Sequence, residues 1–217
     1  SHRSAALPQG EYAEIRKEAA TVSLADNGNG MLNYQSTSVP FPIPKTGLEA
    51  IYNHMVRYRA GGYHYYPTEM VVLGNPEPNR LYYYLGKVTS PESVAGSQNL
   101  VHEPIDQTTE TRLAWTYNPG QRRVLRAPEI SYDSPVATSE GLRTNDMIDM
   151  FNGAPDRYDW KLVGKKDMLV PYNTYKLASH TLKYADIIQP DHLNQDLVRY
   201  EPHRVWVVEA TLKPGQR

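Results

Sequence analysis

The hydrophobic positions of the chain follow two periods, and the helical period is strongest around residue 50. One apolar stripe recurs there at three- and four-residue intervals: Leu48, Ile51, Tyr52 and Met55. Thr46 and Glu49 have the spacing of a capping box, in which side chains accept hydrogen bonds from the first backbone amides. Gly61 and Gly62 follow and are typical of a helix end. The pattern therefore predicts a helix over Thr46–Arg59.

Two weaker patterns also favour helices. Apolar residues with helical spacing predict a modest helix over Glu11–Thr21. A shorter helix is predicted between Thr144, which has the chemistry of a helix start, and Gly153, which lies just past its end.

Most of the remaining chain reads as strands separated by turn residues. Strands are predicted at 69–74, at 80–88, at 112–128 as a hairpin, at 159–173 as two short strands around Gly164, and at 203–213. The segment Ser90–Gln107 is predicted to be a loop. With few helices and no regular βαβ alternation, the pattern favours a mainly β (α+β) fold, in which helices pack on one side of an antiparallel sheet.

The predicted hairpin, "AWTYNPGQRRVLRAP" at Ala114–Pro128, places an aromatic strand next to an arginine-rich strand. The four residues from Asn118 fit a turn, in which proline presets φ and the following glycine supplies a positive φ. Trp115 and Tyr117 share one face of the incoming strand, because side chains alternate between the two faces of a strand.

The three arginines of the outgoing strand do not segregate to one face. Arg122 and Arg126 share a face with Val124, whereas Arg123 shares the other face with Leu125. Three roles remain open for them. In the first, their aliphatic stems cover the sheet while the charged groups reach water. In the second, their guanidinium groups bind an anionic head group such as a phosphate. In the third, they stack on neighbouring aromatic rings.

Composition limits the classes of function. The 217 residues carry a formal net charge of -1, so the chain lacks the basic excess of a nucleic-acid-binding protein. The absence of cysteine excludes disulfides, thiolate nucleophiles and zinc–thiolate sites. Tyrosine outnumbers phenylalanine 17 to 2, which fits either a half-hydrated sheet surface or the lining for an amphiphilic ligand.

No catalytic motif is recognisable in the chain. Its seven histidines lack metal-ligand spacing, and there is no GxSxG elbow, phosphate-binding loop or dinucleotide fingerprint. The acidic residues between Asp133 and Asp159 do not have the spacing of an EF-hand. For His54 a structural hydrogen bond is expected. We therefore predict a protein that is not an enzyme and has no catalytic residues, metal or cofactor.

Four stretches together resemble a known bacterial family. They are VPFPIPKTGLEAIYNH (Val39–His54), AWTYNPGQRRVLRAP (Ala114–Pro128), DMFNGAPDRYDWKLVGKKDMLVPYN (Asp149–Asn173) and EPHRVWVVEATLK (Glu201–Lys213). Taken in this order, they resemble domain-of-unknown-function family 1329. Its members are secreted into the Gram-negative envelope and are often labelled outer-membrane lipoprotein-sorting proteins. The resemblance covers most of the chain from Val39 onward and implies a place in the periplasm or at the outer-membrane periphery.

The resemblance also implies a relation to the lipoprotein carrier and receptor fold of the LolA and LolB type. That fold is a curved antiparallel sheet or incomplete β-barrel, with helices packed on its open concave face, where acyl chains bind. We therefore expect one domain over residues 1–217, with an N-terminal segment and helix in 1–38 and a curved sheet with a lid helix in 39–217. Because family members are longer, the chain is expected to be an N-terminal fragment of a longer family domain.

The function implied by the resemblance is that of a non-enzymatic envelope protein. Such a protein binds or helps to traffic a lipid, lipoprotein or other hydrophobic molecule between membranes. An RND-type exporter or an outer-membrane barrel protein is the implied partner. The alternative function is therefore that of a structural adaptor in such a complex, without a ligand of its own. A hydrolase is less favoured. The missing C-terminal portion or another chain is expected at the sheet edge, and no nucleic acid is expected.

The candidate ligand-binding residues come from the helix stripe and from the hairpin. They are Leu48, Ile51, Tyr52, Met55, Trp115, Tyr117, Arg122, Arg123 and Arg126. The helix stripe either closes the core or touches the ligand. The aromatic strand is expected to face the ligand, and the arginines are expected at the rim, near anionic lipid head groups or the acidic groups of a partner.

Overall fold

A computed structural model describes residues 7–26, 28–34, 38–57, 78–90, 92–127, 130–136 and 141–216, and the backbone alone of 68–74. In this part of the chain the fold is mainly antiparallel β with few helices, and the sheets do not close into a barrel. The predicted mainly β (α+β) class, with an open antiparallel sheet and helices, is therefore confirmed. Among the same residues, none of the helices combines the length and the apolar character needed to cross a bilayer.

The regular elements form one meander and one long hairpin. In chain order they are α1 (Gln9–Thr21), β1 (Ser23–Leu24), β2 (Met31–Leu32), α2 (Gly47–Met55), β3 (Thr68–Gly74), β4 (Arg80–Val88), β5 (Gln98–Pro104), β6 (Leu113–Asn118), β7 (Arg123–Arg126), β8 (Tyr158–Pro171), α3 (Tyr184–Ile187), β9 (Ile188–Gln189), β10 (His192–Leu193) and β11 (Tyr200–Leu212). Strands β3 to β7 form a five-stranded sheet in sequential order, and β8 pairs separately with β11. The pairs β1–β2 and β9–β10 are two residues long.

Two strands differ from their predictions. The segment 90–107, predicted to be a loop, contains β5, which pairs with both β4 and β6. Its residues are largely polar, so its strand conformation depends on its two neighbours rather than on intrinsic propensity. β8 is one strand of 14 residues instead of two short strands. Its ladder continues past a bulge at Val163 and Gly164, where the glycine has a φ of 139°.

The first turn of α2 is capped much as its sequence predicts. Oγ1 of Thr46 accepts a hydrogen bond from the backbone N–H of Glu49 at 3.1 Å. The Glu49 carboxylate in turn accepts one from the backbone N–H of Lys45 at 2.5 Å. Both side chains therefore satisfy backbone donors that a helix start leaves unpaired.

The end of α2 comes earlier than predicted, at Met55 instead of Arg59. Nη1 of Arg57 donates to the carbonyl oxygen of His54 at 2.6 Å. The side chain of Arg57 thus occupies the carbonyl oxygen of His54, which would accept a backbone N–H if the helix went on for another turn. The helix can therefore end here without leaving this carbonyl oxygen unpaired. The predicted stop at Gly61 and Gly62 lies outside the described residues.

The other two predicted helices have different outcomes. The N-terminal helix is confirmed as α1. The helix predicted after Thr144 is only a 3-10 turn, Asn145–Met147. Asp149 and Met150 follow with φ of 61° and 72°, so two successive left-handed residues prevent a longer helix.

The core forms where α2, the start of β4 and the segment around residue 30 meet. Its buried members are Tyr34, Met55, Val56 and Leu81, and Ile51, Tyr82 and Ile105 pack against them. Tyr52 is 0% exposed, and its hydroxyl accepts a hydrogen bond from the backbone N–H of Gly30 at 2.5 Å. Burial raises the pKa of Tyr52 well above its usual value, so the hydroxyl stays neutral.

The other side of α2 packs against the β8–β11 hairpin. One close approach is at Gly47, where an added Cβ would lie 2.6–2.8 Å from backbone atoms of Trp160 and Lys161. Nearby, the rings of Phe151, Tyr158 and Trp160 pack with centroid separations of 5.1–5.9 Å. Close contact between helix backbone and strand backbone therefore fixes the hairpin to the core.

One buried ion pair joins the end of β5 to the start of β6. Nε of Arg112 lies 2.7 Å from Oε2 of Glu103, and Nη2 lies 2.8 Å from Oε1. Both side chains are 3% exposed. Gln107, also buried, donates to Oε1 of Glu103 at 2.9 Å. The two charges are thus bidentate and shielded from water, which is the geometry of a strong ion pair.

The same arginine holds two further segments of the chain. Its guanidinium donates to the carbonyl oxygens of Ile130, at 3.1 Å, and of Asn152. Its backbone N–H donates to Oγ of Ser131 at 3.0 Å. Burial by itself would lower the pKa of Arg112, but the Glu103 carboxylate outweighs burial and raises it. Arg112 therefore remains charged and connects the meander to the segments around Ile130 and Asn152.

The contact at Gly47 leads to a prediction about stability. We expect Gly47→Ala to lower the free energy of unfolding by about 1–3 kcal/mol, because the new methyl group overlaps the backbone of β8. Gly10→Ala in α1 is the matched control, since nothing lies within 4 Å of its added Cβ. That control should be neutral or stabilise by up to about 1 kcal/mol. Urea unfolding of both variants measures the difference, and equal effects would contradict the proposed close contact.

The buried ion pair gives a second prediction. Glu103→Gln should lower the free energy of unfolding by about 3–5 kcal/mol, because it leaves the Arg112 charge buried without a counter-charge. Combining it with Arg112→Met should cost less than the sum of the two single changes, which a double-mutant cycle measures. Glu209→Gln breaks the exposed Lys161–Glu209 pair and should cost less than about 1 kcal/mol. A Glu103→Gln loss no larger than the Glu209→Gln loss would show that the pair is not a structural constraint.

Candidate functional site

The antiparallel register places one set of aromatic and apolar side chains on the same side of the meander. Residues directly opposite each other on neighbouring strands share a face. We call this side the aromatic face. It consists of Tyr83, Leu85, Lys87, Gln98, Leu100, His102, Leu113, Trp115, Tyr117, Val124 and Arg126.

Three rings form a row across the centre of the aromatic face. The ring centroids of Tyr83 and His102 are 4.5 Å apart and nearly perpendicular, at 78°. The centroids of His102 and Trp115 are 4.8 Å apart. All three side chains are half-buried, as is Tyr117 two residues along β6. The row therefore crosses β4, β5 and β6 as one packed unit.

The aromatic face reaches solvent towards the last residues of β4 and the β6–β7 turn. Leu85 is 44% exposed and Val124 is 62% exposed. Trp115 and Tyr117, predicted to share a face, do so. The face therefore offers a half-buried aromatic centre with an accessible aliphatic margin.

β7 forms one edge of the meander, and all four of its residues are exposed. Val124 and Arg126 lie on the aromatic face, opposite Tyr117 and Trp115. Arg123 and Leu125 lie on the other face. The predicted alternation of these four side chains is confirmed.

Arg122 does not belong to the strand in which the sequence placed it. It lies in the turn before β7 with a φ of 52°, a value that the sequence had assigned to Gly120. The turn is longer than predicted because Oδ1 of Asn118 accepts hydrogen bonds from the backbone N–H groups of Gly120, at 2.9 Å, and Gln121, at 3.2 Å. These bonds hold the first half of the turn, and the chain reverses one residue later.

The arginine charges of this hairpin are not compensated within the described part of the chain. Arg122, Arg123 and Arg126 are exposed and have no ion pair or hydrogen bond to a described side chain. The segment 113–127 contains three arginines and no acidic residue. The tip and edge of the hairpin are therefore a local concentration of positive charge.

The candidate residues of α2 lie away from the aromatic face. Tyr52 and Met55 are buried in the core, and Ile51 packs against it. Leu48 lies beside Gly28. This group meets β4 at Leu81 and Tyr82, at the opposite end of the strand from the accessible margin. Packing accounts for the stripe, and ligand contact by it stays a prediction.

Most polar residues singled out in the sequence have structural partners. His54 contacts the carbonyl oxygen of Asp149 at 2.7 Å, which confirms the hydrogen bond predicted for it. Asp133 pairs with Arg157 at 3.0 Å. Within the described ranges, no three side chains of histidine, cysteine, aspartate or glutamate are grouped as metal ligands would be.

Two clefts of the described structure are separate from the aromatic face. One, of about 220 Å³, is lined by Met31, Tyr34, Asn79, Ile105, Asp106 and Thr109. The other, of about 550 Å³, is lined by Tyr132, Asp133, Ser134, Asp156, Arg157 and Gln216. In the smaller cleft the Asp106 carboxylate is already engaged. Burial opposes its ionisation, but hydrogen bonds from Thr108 and Thr109 outweigh burial and lower the pKa of Asp106.

Sequence reasoning missed several residues of the aromatic face. Leu100 and His102 lie on β5, within the segment predicted to be a loop. No alternation of apolar and polar residues marks this strand, because the apolar Leu100 and Val101 are adjacent and are followed by the polar His102 and Glu103. The polar composition of the segment favours a loop instead.

Comparison with known proteins identifies the family. The model of a family described as "Protein of unknown function (DUF1329)" matches residues 1–77 and 73–217. The uncharacterized protein PA3922 of Pseudomonas aeruginosa is 47% identical over 241 residues, which cover 100% of this chain and 53% of that protein. The chain thus spans about half the length of this relative.

A solved structure is also similar. The crystal structure of a DUF1329 family protein from Desulfovibrio piger shares 22% sequence identity, covers 46% of this chain and 40% of that chain, and has a TM-score of 0.34. The family assignment depends on the family model and on the Pseudomonas relative, which both extend along the whole chain. The chain therefore belongs to the DUF1329 family, the family that its four sequence stretches resemble.

Proposed function

We propose that the protein is a non-enzymatic part of the Gram-negative envelope that binds, or helps to traffic, a lipid, lipoprotein or other hydrophobic molecule between membranes. The aromatic face is the observation that carries this proposal. A half-buried row of rings beside exposed aliphatic side chains suits an amphiphile, whose apolar body covers the rings while its polar head stays in water.

The energetic basis of binding is the removal of apolar surface from water. Leu85 and Val124 are large aliphatic side chains left in solvent at the margin of the face. Covering such surface contributes about 25 cal/mol per Å². The rings of Tyr83, His102 and Trp115 already contact one another, so little side-chain entropy would be lost when a ligand settles on them.

The charge at the margin suits an anionic head group. Arg126 lies directly opposite Trp115 on the aromatic face, and its guanidinium has no described partner. Lys87 lies on the same face. A phosphate or carboxylate at this position would gain charge-assisted hydrogen bonds while the chain of the amphiphile extends towards the rings.

The relation to the LolA and LolB type of fold is part of this proposal. An open meander that carries half-buried aromatic side chains and an accessible aliphatic margin on one face supports it. In such an arrangement the aromatic face would be the concave, ligand-bearing side of an incomplete barrel.

A place in the periplasm or at the outer-membrane periphery, with an RND-type exporter or an outer-membrane barrel protein as partner, is also proposed. Membership of the family supports it, as does a relative from Pseudomonas aeruginosa, a Gram-negative bacterium. Because the chain spans about half of that relative, the proposal concerns the whole protein of which these residues form the matching part.

A structural adaptor without its own ligand is the second candidate. The observation that favours it is the number of large apolar side chains exposed on the β8–β11 hairpin and on the segment that connects its strands. They include Leu169, Tyr175, Tyr184, Ile188 and Tyr200. Exposed apolar surface of this kind is typical of contacts between proteins.

Quenching of tryptophan fluorescence tests the first candidate. A brominated fatty acid bound on the aromatic face should quench the fluorescence of Trp115 in a saturable manner, because bromine acts only at short range. Trp115→Phe should lose most of this quenching, whereas Trp206→Phe, on β11 in the other sheet, should retain it. Arg126→Gln should weaken binding of the fatty acid by up to about fivefold and leave binding of the matching alcohol unchanged.

Native mass spectrometry of the gently purified protein supplies an independent measurement. A co-purified lipid that Trp115→Phe retains less well would support the same face. Absence of saturable quenching together with a ligand-free mass would overturn the proposal and favour the adaptor. Saturable quenching that Trp115→Phe leaves intact would place the ligand elsewhere in the molecule.

A further inference from the structure

The outer edge of β7 offers backbone groups that no described strand uses. β7 is the last strand of the meander. The backbone N–H of Ala127 donates to the carbonyl oxygen of Ala114 at 2.8 Å, so the groups of residue 127 point towards β6. Because these groups alternate in direction along an antiparallel strand, those of Val124 and Arg126 point away from β6. Two donors and two acceptors are therefore presented to an incoming strand.

The side chains of this edge alternate in a way that suits a second strand. One face carries Val124 and Arg126, and the other carries Arg123 and Leu125. All four side chains are exposed, and neither arginine has a described ion pair. Each face of the edge thus presents one aliphatic side chain and one unpaired positive charge.

We propose that this edge binds an extended acidic segment of a partner protein as an additional β-strand. Residues opposite each other across a strand pair share a face. Acidic side chains opposite Arg123 and Arg126, and apolar side chains opposite Val124 and Leu125, therefore complement the edge. The partner segment has the pattern acid–apolar–apolar–acid, which is the same in both chain directions, so it fits a parallel or an antiparallel addition.

The arrangement of the charges favours a strand over a membrane surface. A bilayer would approach the edge from one side and would meet either Arg123 or Arg126 with its head groups. An added strand sends alternate side chains to both faces and pairs both arginines at once. An added strand also forms hydrogen bonds with the outward N–H and C=O groups of Val124 and Arg126. Lipid head groups do not present donors and acceptors at the spacing of a β-strand.

The described part of the chain does not offer this segment to another copy of itself. The pattern occurs three times, at Glu11–Glu14, Glu103–Asp106 and Asp146–Asp149. The first lies in α1 and the second includes the buried Glu103. The third begins in a 3-10 turn, where Asp146 is buried. The complementary strand is therefore assigned to a different protein.

Two peptides of equal composition test the proposal. TTEVVETT carries the pattern, and TTVEEVTT has its acidic and apolar residues exchanged. Titration into the isotopically labelled chain, followed by NMR, should show binding of the first peptide at least about tenfold tighter, because only its acids meet Arg123 and Arg126. On binding, hydrogen exchange of the amides of Val124 and Arg126 should slow, while those of Arg123 and Leu125, directed towards β6, should change little.

A matched pair of variants separates strand recognition from general attraction. Arg123→Gln combined with Arg126→Gln should weaken binding of TTEVVETT by about tenfold. Arg16→Gln combined with Lys166→Gln removes the same charge from exposed sites on α1 and β8, and should leave binding within about twofold. NMR signals that stay unchanged away from the substituted residues of each variant would show that the fold is intact.

Four results obtained with this chain would overturn the proposal. They are equal binding of both peptides, binding of neither, binding without slower exchange at Val124 and Arg126, and binding to anionic vesicles alone that depends on the two arginines. Failure of a full-length relative to bind TTEVVETT would assign the edge to that protein's own chain and would also overturn it. The amphiphile proposal is tested separately. Arg123 does not lie on the aromatic face that carries Trp115, so Arg123→Gln should leave fatty-acid quenching unchanged.

Discussion

The bidentate contact between Glu103 and Arg112 is the constraint on which the described architecture depends. Two charges that are 3% exposed persist only together, because either one alone would be buried without compensation. Arg112 also donates to the carbonyl oxygens of Ile130 and Asn152, so its position fixes two connecting segments as well as the junction of β5 with β6. A buried apolar pair could fill the same volume but could not specify which carbonyl groups meet at this point.

This constraint acts at only one end of the meander. The starts of β4 and β6 and the end of β5 meet the core and the buried ion pair, whereas the other ends of these strands reach solvent. The accessible margin of the aromatic face, at Leu85 and Val124, and the edge at β7 both lie towards the unconstrained end. The buried ends of these strands therefore provide stability, and their exposed ends are available for binding. Exposed apolar and charged side chains at the far ends do not weaken the core.

The sequence predicted those features whose cause is local. The cap of α2 depends on Thr46 and Glu49, and the alternation of Trp115 and Tyr117 follows from strand geometry, so both could be deduced from short stretches. β5 could not, because its strand conformation depends on hydrogen bonds with β4 and β6 that no local pattern reveals. His102, the middle ring of the aromatic row, was missed for the same reason. The shift of Arg122 into the turn depends on the Asn118 side chain, whose hydrogen bonds override the expected roles of proline and glycine.

The arginines of β7 also oppose self-association at an edge that no described strand covers. An exposed edge with Val124 and Leu125 is a template for indiscriminate strand pairing, and like charges on both faces oppose pairing with another copy of itself. Two positive charges at any positions along the edge would be enough to oppose pairing with a second β7. Here they flank the two aliphatic residues, one on each face, so the same charges that repel a second β7 define one complementary sequence. Protection from self-association and recognition of an acidic strand thus follow from a single placement of charge.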